Sequence, residues 1–192
     1  MDLDLKRRDY TMNVVEIRGR RKDDSTLFDF FKVNNDGSLY IGSHITTPSS
    51  NLDTTAAAYA SGDCLGTVQT LTNALDAAYG TGLIESVSVV DTNNQKPAMD
   101  IIVFSSTPSA GTYVDNATPS FSTDAAGKII RKIPIYASDY TTENDVAVAD
   151  VNPLGRTVVS DSTSLYMVPV ATGATTFTAA TPVTVRFNIL QD

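Results

Sequence analysis

The chain has 192 residues, 42% of them hydrophobic and 19% charged, with a formal net charge of −8. That apolar share supports a packed core and excludes a disordered chain, while the length suits one domain plus an extension, or two small modules. Cys64 is the only cysteine, which excludes an intramolecular disulfide and a thiolate metal cluster and fits assembly in a reducing cytoplasm.

Residues 1–32 hold 8 of the 14 basic side chains against 7 acidic ones, a balance of +1, whereas residues 33–192 hold 6 basic against 15 acidic, a balance of −9. The body should therefore repel nucleic acid, and attraction to an acidic partner falls to the N-terminal segment. The opening MDLDLKRRDY lacks an apolar core and does not read as a secretory signal.

Residues 1–22 read as an extended arm, in which KRR at 6–8 and RGRRK at 18–22 flank Val14, Val15 and Ile17. A β-hairpin is expected next: Leu27, Phe28, Phe30, Phe31 and Val33, then Asn34-Asn35-Asp36-Gly37, then Leu39, Tyr40 and Ile41. Residues 42–58 are small and polar and read as a linker.

Strands are predicted near 64–72, 82–91, 98–105, 128–136, 145–149, 156–160, 163–171 and 182–190. The last alternates most clearly, with Val183, Val185, Phe187 and Ile189 on one face and Thr184, Arg186 and Asn188 on the other. Ile129, Arg131, Ile133 and Ile135 alternate likewise with Ile130, Lys132 and Pro134. Turn clusters are expected at 91–97, 107–116, 138–144, 152–155 and 171–176, and only 71–78 and 123–126 look helical.

This rhythm, with no βαβ alternation, predicts an all-β fold: a two-sheet antiparallel sandwich of jelly-roll type, carrying under about 15% helix. Pro134 and Pro169 fall inside predicted strands and call for edge positions or bulges. The longest uncharged stretch, 162–185, contains Pro169, Gly173 and Pro182 and does not read as a membrane helix.

No catalytic constellation emerges. His44, the only histidine, lies in the linker-like segment, and Cys64 reads as a small apolar strand residue. Asp91-Thr92-Asn93-Asn94-Gln95 loosely resembles a calcium loop but lacks the glycine and terminal glutamate of an EF-hand, so a turn is the reading taken. Asn116-Ala117-Thr118 fits a glycosylation sequon and is read as a turn. Gly80-Thr81-Gly82 precedes a strand, whereas a phosphate cradle needs a helix N-terminus. The expectation is a non-enzyme with no cofactor and no bound metal.

From residue 59 onward a family resemblance appears. YASGDCLG at 59–66, GLIESVSVVDTNNQKPAMDIIVF at 82–104, DNATPSFSTDAAGKII at 115–130 and SLYMVPVATGATTFTAATPVTVRFNILQD at 164–192 carry it by their order and spacing. Together they resemble a protein common among the virion structural genes of tailed phages. The resemblance implies a virion-associated β-sandwich with a role in capsid decoration or head attachment, and it brings no catalytic signature with it.

The expected organisation is an attachment and oligomerisation element at 1–58 and a sandwich at 59–192. Expected partners are the major capsid protein and further copies of the chain, in a trimer or another multivalent arrangement, on the outer surface of a virion assembled in the host cytoplasm. Arg7, Arg8, Arg18, Arg20, Arg21, Phe28, Phe30, Phe31, Leu39 and Tyr40 are the expected contact residues. For the basic clusters, docking on an acidic capsid surface stands beside nucleic-acid contact and a merely solvated tail. The rival function is a tail or head-fibre module that binds host-surface glycans.

Overall fold

The computed structural model describes residues 18–20, 28–30, 44–109 and 111–191. The chain divides into two compact units, Met1–Gly42 and Ser43–Asp192. In the first, strand β1 (Arg18–Arg20) pairs antiparallel with β2 (Phe28–Phe30), setting Arg18 opposite Phe30 and Arg20 opposite Phe28. A strand therefore forms where the sequence predicts one at 28–30. The expected turn at 34–37 and its second strand at 39–41 lie outside the described residues.

The second unit contains β3 (His44–Thr46), β4 (Ser49–Asn51), β5 (Ala58–Tyr59), β6 (Gln69–Leu71), β7 (Thr81–Asp91), β8 (Met99–Phe104), helix α1 (Thr123–Gly127), β9 (Ile129–Ile135), β10 (Tyr140–Glu143), β11 (Val146–Val151), β12 (Arg156–Val159), β13 (Leu165–Ala171), β14 (Thr175–Thr176) and β15 (Val183–Gln191). Each of the eight strands predicted between 64 and 190 has its counterpart here. A large antiparallel sheet runs β10-β11-β7-β15-β3, with β12 also on β7 and β4 also on β15. A smaller sheet runs β6-β13-β8-β9, and β14 pairs with β5.

The main core lies between the two sheets. Val183, Val185, Phe187 and Ile189 of β15 are all fully buried, as the alternation predicts, alongside Ile84, Val87 and Val89 of β7. Met99, Ile101 and Val103 of β8 and Leu165 and Met167 of β13 complete it from the smaller sheet. Each such side chain contributes about 1.5–3 kcal/mol through removal from water. Ser50 of β4 bonds Gln69 of β6 at 2.8 Å, a polar tie between the layers.

Strand β9 departs from its simple alternation. The register shifts between Val103 and Phe104, which oppose Arg131 and Ile129, so Ile130 is skipped. Ile130 turns toward the core, while Ile129 is left exposed. A bulge of this kind reverses the faces beyond it. Pro134 sits on this edge strand as expected. Pro169 lies in β13 beyond the end of its pairing with β6, and its carbonyl accepts from the Leu65 N–H at 3.0 Å. Its missing N–H therefore faces the irregular 64–65 segment and costs no bond to β8.

Three local expectations give way to tertiary pairing. Residues 44–58, linker-like in composition, supply β3 and β4 against β15 and β5 against β14. Tyr140–Glu143 forms a strand, and the turn beyond it narrows to Asn144-Asp145, with Asn144 at φ 56°. Segment 71–78 is not helical: Asn73 adopts φ 56°, and its carbonyl accepts from Thr46 Oγ1 and Gln191 Nε2 rather than from a helical turn.

The smaller sheet is covered on its second face too. A second core of Cys64, Phe104, Ala125 and Val168 forms under the excursion 105–128, with Tyr113 and Tyr166 packed against it. Phe121 stacks on Phe104 at 6.4 Å between ring centroids, and Tyr113 meets Phe121 edge-on at 5.5 Å. Helix α1 in this excursion is capped by Ser122, whose hydroxyl accepts from Ala125 N–H at 3.0 Å.

Candidate interaction surface

Several residues singled out for chemistry from the sequence have partners within the fold. Asp91 is fully buried at the end of β7, and its carboxylate accepts from the backbone N–H groups of Asn93 at 2.9 Å, Gln95 at 2.6 Å and Lys96 at 2.8 Å. Both oxygens thus point into their own loop and close an Asx turn. Gly82 belongs to β7, where a Cβ would press on Leu75 Cδ2 at 2.8 Å and Ile189 Cγ2 at 3.1 Å. That glycine permits close packing of β7 against Leu75 and Ile189. Asn116, at φ 57°, donates its N–H to the Cys64 carbonyl within a turn.

Cys64 and His44 lie in different layers. Burial, with Asp63 and Asp115 adding to it, pushes the Cys64 thiol up to about 11, so it is not poised as a nucleophile. His44 stands on edge strand β3, with Nδ1 at 3.7 Å from the Asp76 carboxylate, both side chains exposed.

Two further carboxylates clamp the loops around β5 and β6. Asp115 accepts from Tyr59 OH at 2.8 Å, Gly66 N–H at 2.9 Å and Thr55 Oγ1 at 3.0 Å. Burial, opposed by Thr55 and aided by Asp115, raises the Tyr59 phenol above its ordinary pKa. Asp53 accepts from Thr67 N–H and Thr67 Oγ1, each at 2.7 Å, and from Gln69 Nε2. Gly66 is at φ 90°, and a Cβ there would collide with the Asp53 carboxylate. Sequence reasoning did not single out Asp53, Tyr59 or Asp115. Their signal is weak, since each partner is remote in the chain or hidden in a polar loop.

The surface of the large sheet is a further candidate for recognition. The outward face of the large sheet consists of half-buried and exposed residues. One row across the strands sets Thr141, Val148, Val90, Thr184 and Asn51 in register. The next sets Asp150, Ser88, Arg186 and Ser49 in register. Beyond a β15 register shift, a third row sets Thr157, Leu83, Leu190 and Ile45 side by side, with Ile45 57% exposed. Val159, 48% exposed, continues the apolar edge, and Tyr79, 78% exposed, donates its N–H to Ser160 beside it. Exposed Glu143, opposite Val146, and exposed Glu85, at the register shift in β7, add two further acids to this mixed polar and apolar face. In the sequence, the trace of this face is Leu190, an apolar residue at an otherwise polar position of β15.

Of the residues predicted to bind a partner, Arg18, Arg20, Phe28 and Phe30 come together in the β1–β2 ladder. Arg7, Arg8, Arg21, Phe31, Leu39 and Tyr40 lie outside the described residues.

No protein-family model matches the chain, and no curated protein is significantly similar to it. Among solved structures, the VP2 subviral particle of infectious bursal disease virus aligns with 90% of the chain at 11% identity and a TM-score of 0.31. A structure of the Gx strain of the same virus aligns with 91% at 12% identity and a TM-score of 0.17. The chain spans 41% and 46% of the lengths of those two proteins. Likenesses of this size assign the chain to no family.

Proposed function

We propose that the protein is a structural component of a tailed-phage virion, decorating or stabilising the outer capsid surface as a cement or auxiliary head protein, and that it is not an enzyme. The observation that carries this reading is the ordered resemblance of 59–66, 82–104, 115–130 and 164–192 to a family of phage virion proteins. The roles of the residues in those segments support it. Tyr59, Asp91 and Asp115 hold loops and layers together, as expected of a family defined by its scaffold rather than by a reaction. The balance of −9 over residues 33–192 suits the outside of a particle better than a DNA-filled interior.

The major capsid protein and further copies of the chain are the partners in this reading, and the basic ladder at Arg18 and Arg20 is the electrostatic attachment element. Quantitative mass spectrometry of purified virions tests it, with an expected copy number on the order of hundreds per particle, as repeated surface contacts require. A handful of copies would move the protein to a fibre or tail tip with glycan binding as its role. Absence from virions would refute a structural role altogether. Reversing the charges at Arg18, Arg20 and Arg21 in the full chain should weaken binding to particles lacking it, most strongly at low salt.

A further inference from the structure

We infer that Arg131 and Pro134 keep the outer edge of β9 closed to strand pairing, and that the pairing they prevent is with β9 of a second copy of this chain. Among the described residues β9 is the longest strand at a sheet edge, with seven residues against four for β10 and β12 and three for β3, β4 and β6. A short edge offers few backbone groups to a newcomer, whereas a long one is a template for another strand. β9 pairs with β8 on one side, and its other row of backbone groups has no strand partner among the described residues. Four of its seven residues are isoleucine, a composition that readily pairs. Every copy of the chain carries this same edge, so a second copy is the neighbour it must be kept from.

Arg131 stands opposite Val103, so the two share a face, and Val103, Ile133 and Ile135 on that face are fully buried in the main core. Arg131 is nevertheless exposed at the rim of the sandwich, and among the described residues no ion pair or side-chain hydrogen bond engages it. A charge in an inward position is tolerated while the rim stays open to water, and an added strand would cover it. In the antiparallel register that overlaps all seven residues of two copies, Arg131 would lie opposite the second copy's Ile133, inside a continuous core. Lys132, held outward by Asp100 at 2.6 Å, would face the second copy's Lys132, a like-charge contact. Pro134 removes a donor from the open row. Pro169 opposes Ile101 without an N–H and gives its carbonyl to Leu65, so Ile101 points its own backbone groups the other way, to Ile133 of β9. By the alternation of antiparallel ladders, the next residue, Pro134, turns its backbone to the open side.

Sedimentation velocity of the full chain tests this, using Arg131→Val, the same variant with Pro134→Val added, and Arg131→Lys. At about 100 micromolar, Arg131→Val should convert the parent's main species to one at least about twofold heavier, while Arg131→Lys should sediment as the parent does. Adding Pro134→Val should lower the concentration needed severalfold, because the open row regains a donor. Hydrogen exchange of the heavier species separates edge pairing from misfolding. Amides of β9 should gain protection there, while the rest of the second unit keeps the parent's pattern. The inference is overturned if Arg131→Val sediments as the parent does, if Arg131→Lys self-associates as Arg131→Val does, or if heavier species form without added protection in β9. An unchanged concentration on adding Pro134→Val would take the proline out of the account.

Discussion

The Tyr59 hydroxyl donates to the Asp115 carboxylate at 2.8 Å, tying strand β5 to the excursion that covers the smaller sheet, 56 residues further along the chain. The same carboxylate collects Gly66 N–H and Thr55 Oγ1, so one side chain holds two loop positions and the end of β5. Asp115→Ala should lower stability by about 2–3 kcal/mol, because donors around it lose their acceptor, and Tyr59→Phe by about 1 kcal/mol. Urea unfolding of both variants and of the pair checks this, and the double variant should cost less than the sum of the two. A neutral Asp115→Ala would remove the clamp from the account.

Asp91 is the stronger anchor, since it is fully buried and accepts three backbone N–H groups. Asp91→Ala should cost about 3 kcal/mol or more, and Asp91→Asn about 1–2 kcal/mol, because the amide keeps only one acceptor. Hydrogen exchange should show the amides of Asn93, Gln95 and Lys96 losing protection first. Unchanged protection in Asp91→Ala would contradict the turn described here.

Asp53 supplies a pH dependence. Burial by itself would raise its pKa, but hydrogen bonds from Thr67 and Gln69 outweigh burial and hold the carboxyl below its ordinary value. A group lowered on folding contributes fully above its unfolded pKa, near ~3.9, and loses that contribution as pH falls through the lower folded value. The gap in Tm between the parent chain and Asp53→Asn should therefore be constant above about pH 5 and close toward about pH 2. A gap that widens on acidification would reverse the assignment.

Cys64 should be chemically quiet. With its thiol pushed up to about 11 by burial and by Asp63 and Asp115, native protein should resist alkylation by iodoacetamide at about pH 8. Unfolding in urea should raise the rate to that of an ordinary thiol. Rapid labelling of the folded chain would show that the excursion over Cys64 opens readily.

The longer strands of the second unit were legible because buried strands repeat every two residues, and β15 is the clearest case, with four inward apolar side chains in strict alternation. The bulge at Ile130 was not legible, since nothing local marks the residue a register skips. Strands β3 to β5 were hidden for a related reason. They are only two or three residues long and show no run of alternating apolar side chains, so their pairing with β15 and β14 could not be read from a local hydrophobic pattern.

By itself, the sequence determined the all-β class, the positions of the strands with a buried apolar alternation and the segregation of basic from acidic residues, because composition, period and charge are local properties. Only the tertiary structure decided which carboxylates serve as clamps and which face of the large sheet lies open. Asp150 and Arg186 stand far apart in the chain, and each looks like an ordinary surface charge in its own strand. Antiparallel register against Ser88 sets one on each side of β7, because strand pairing places residues side by side according to which strands meet, and that partner choice depends on the whole fold.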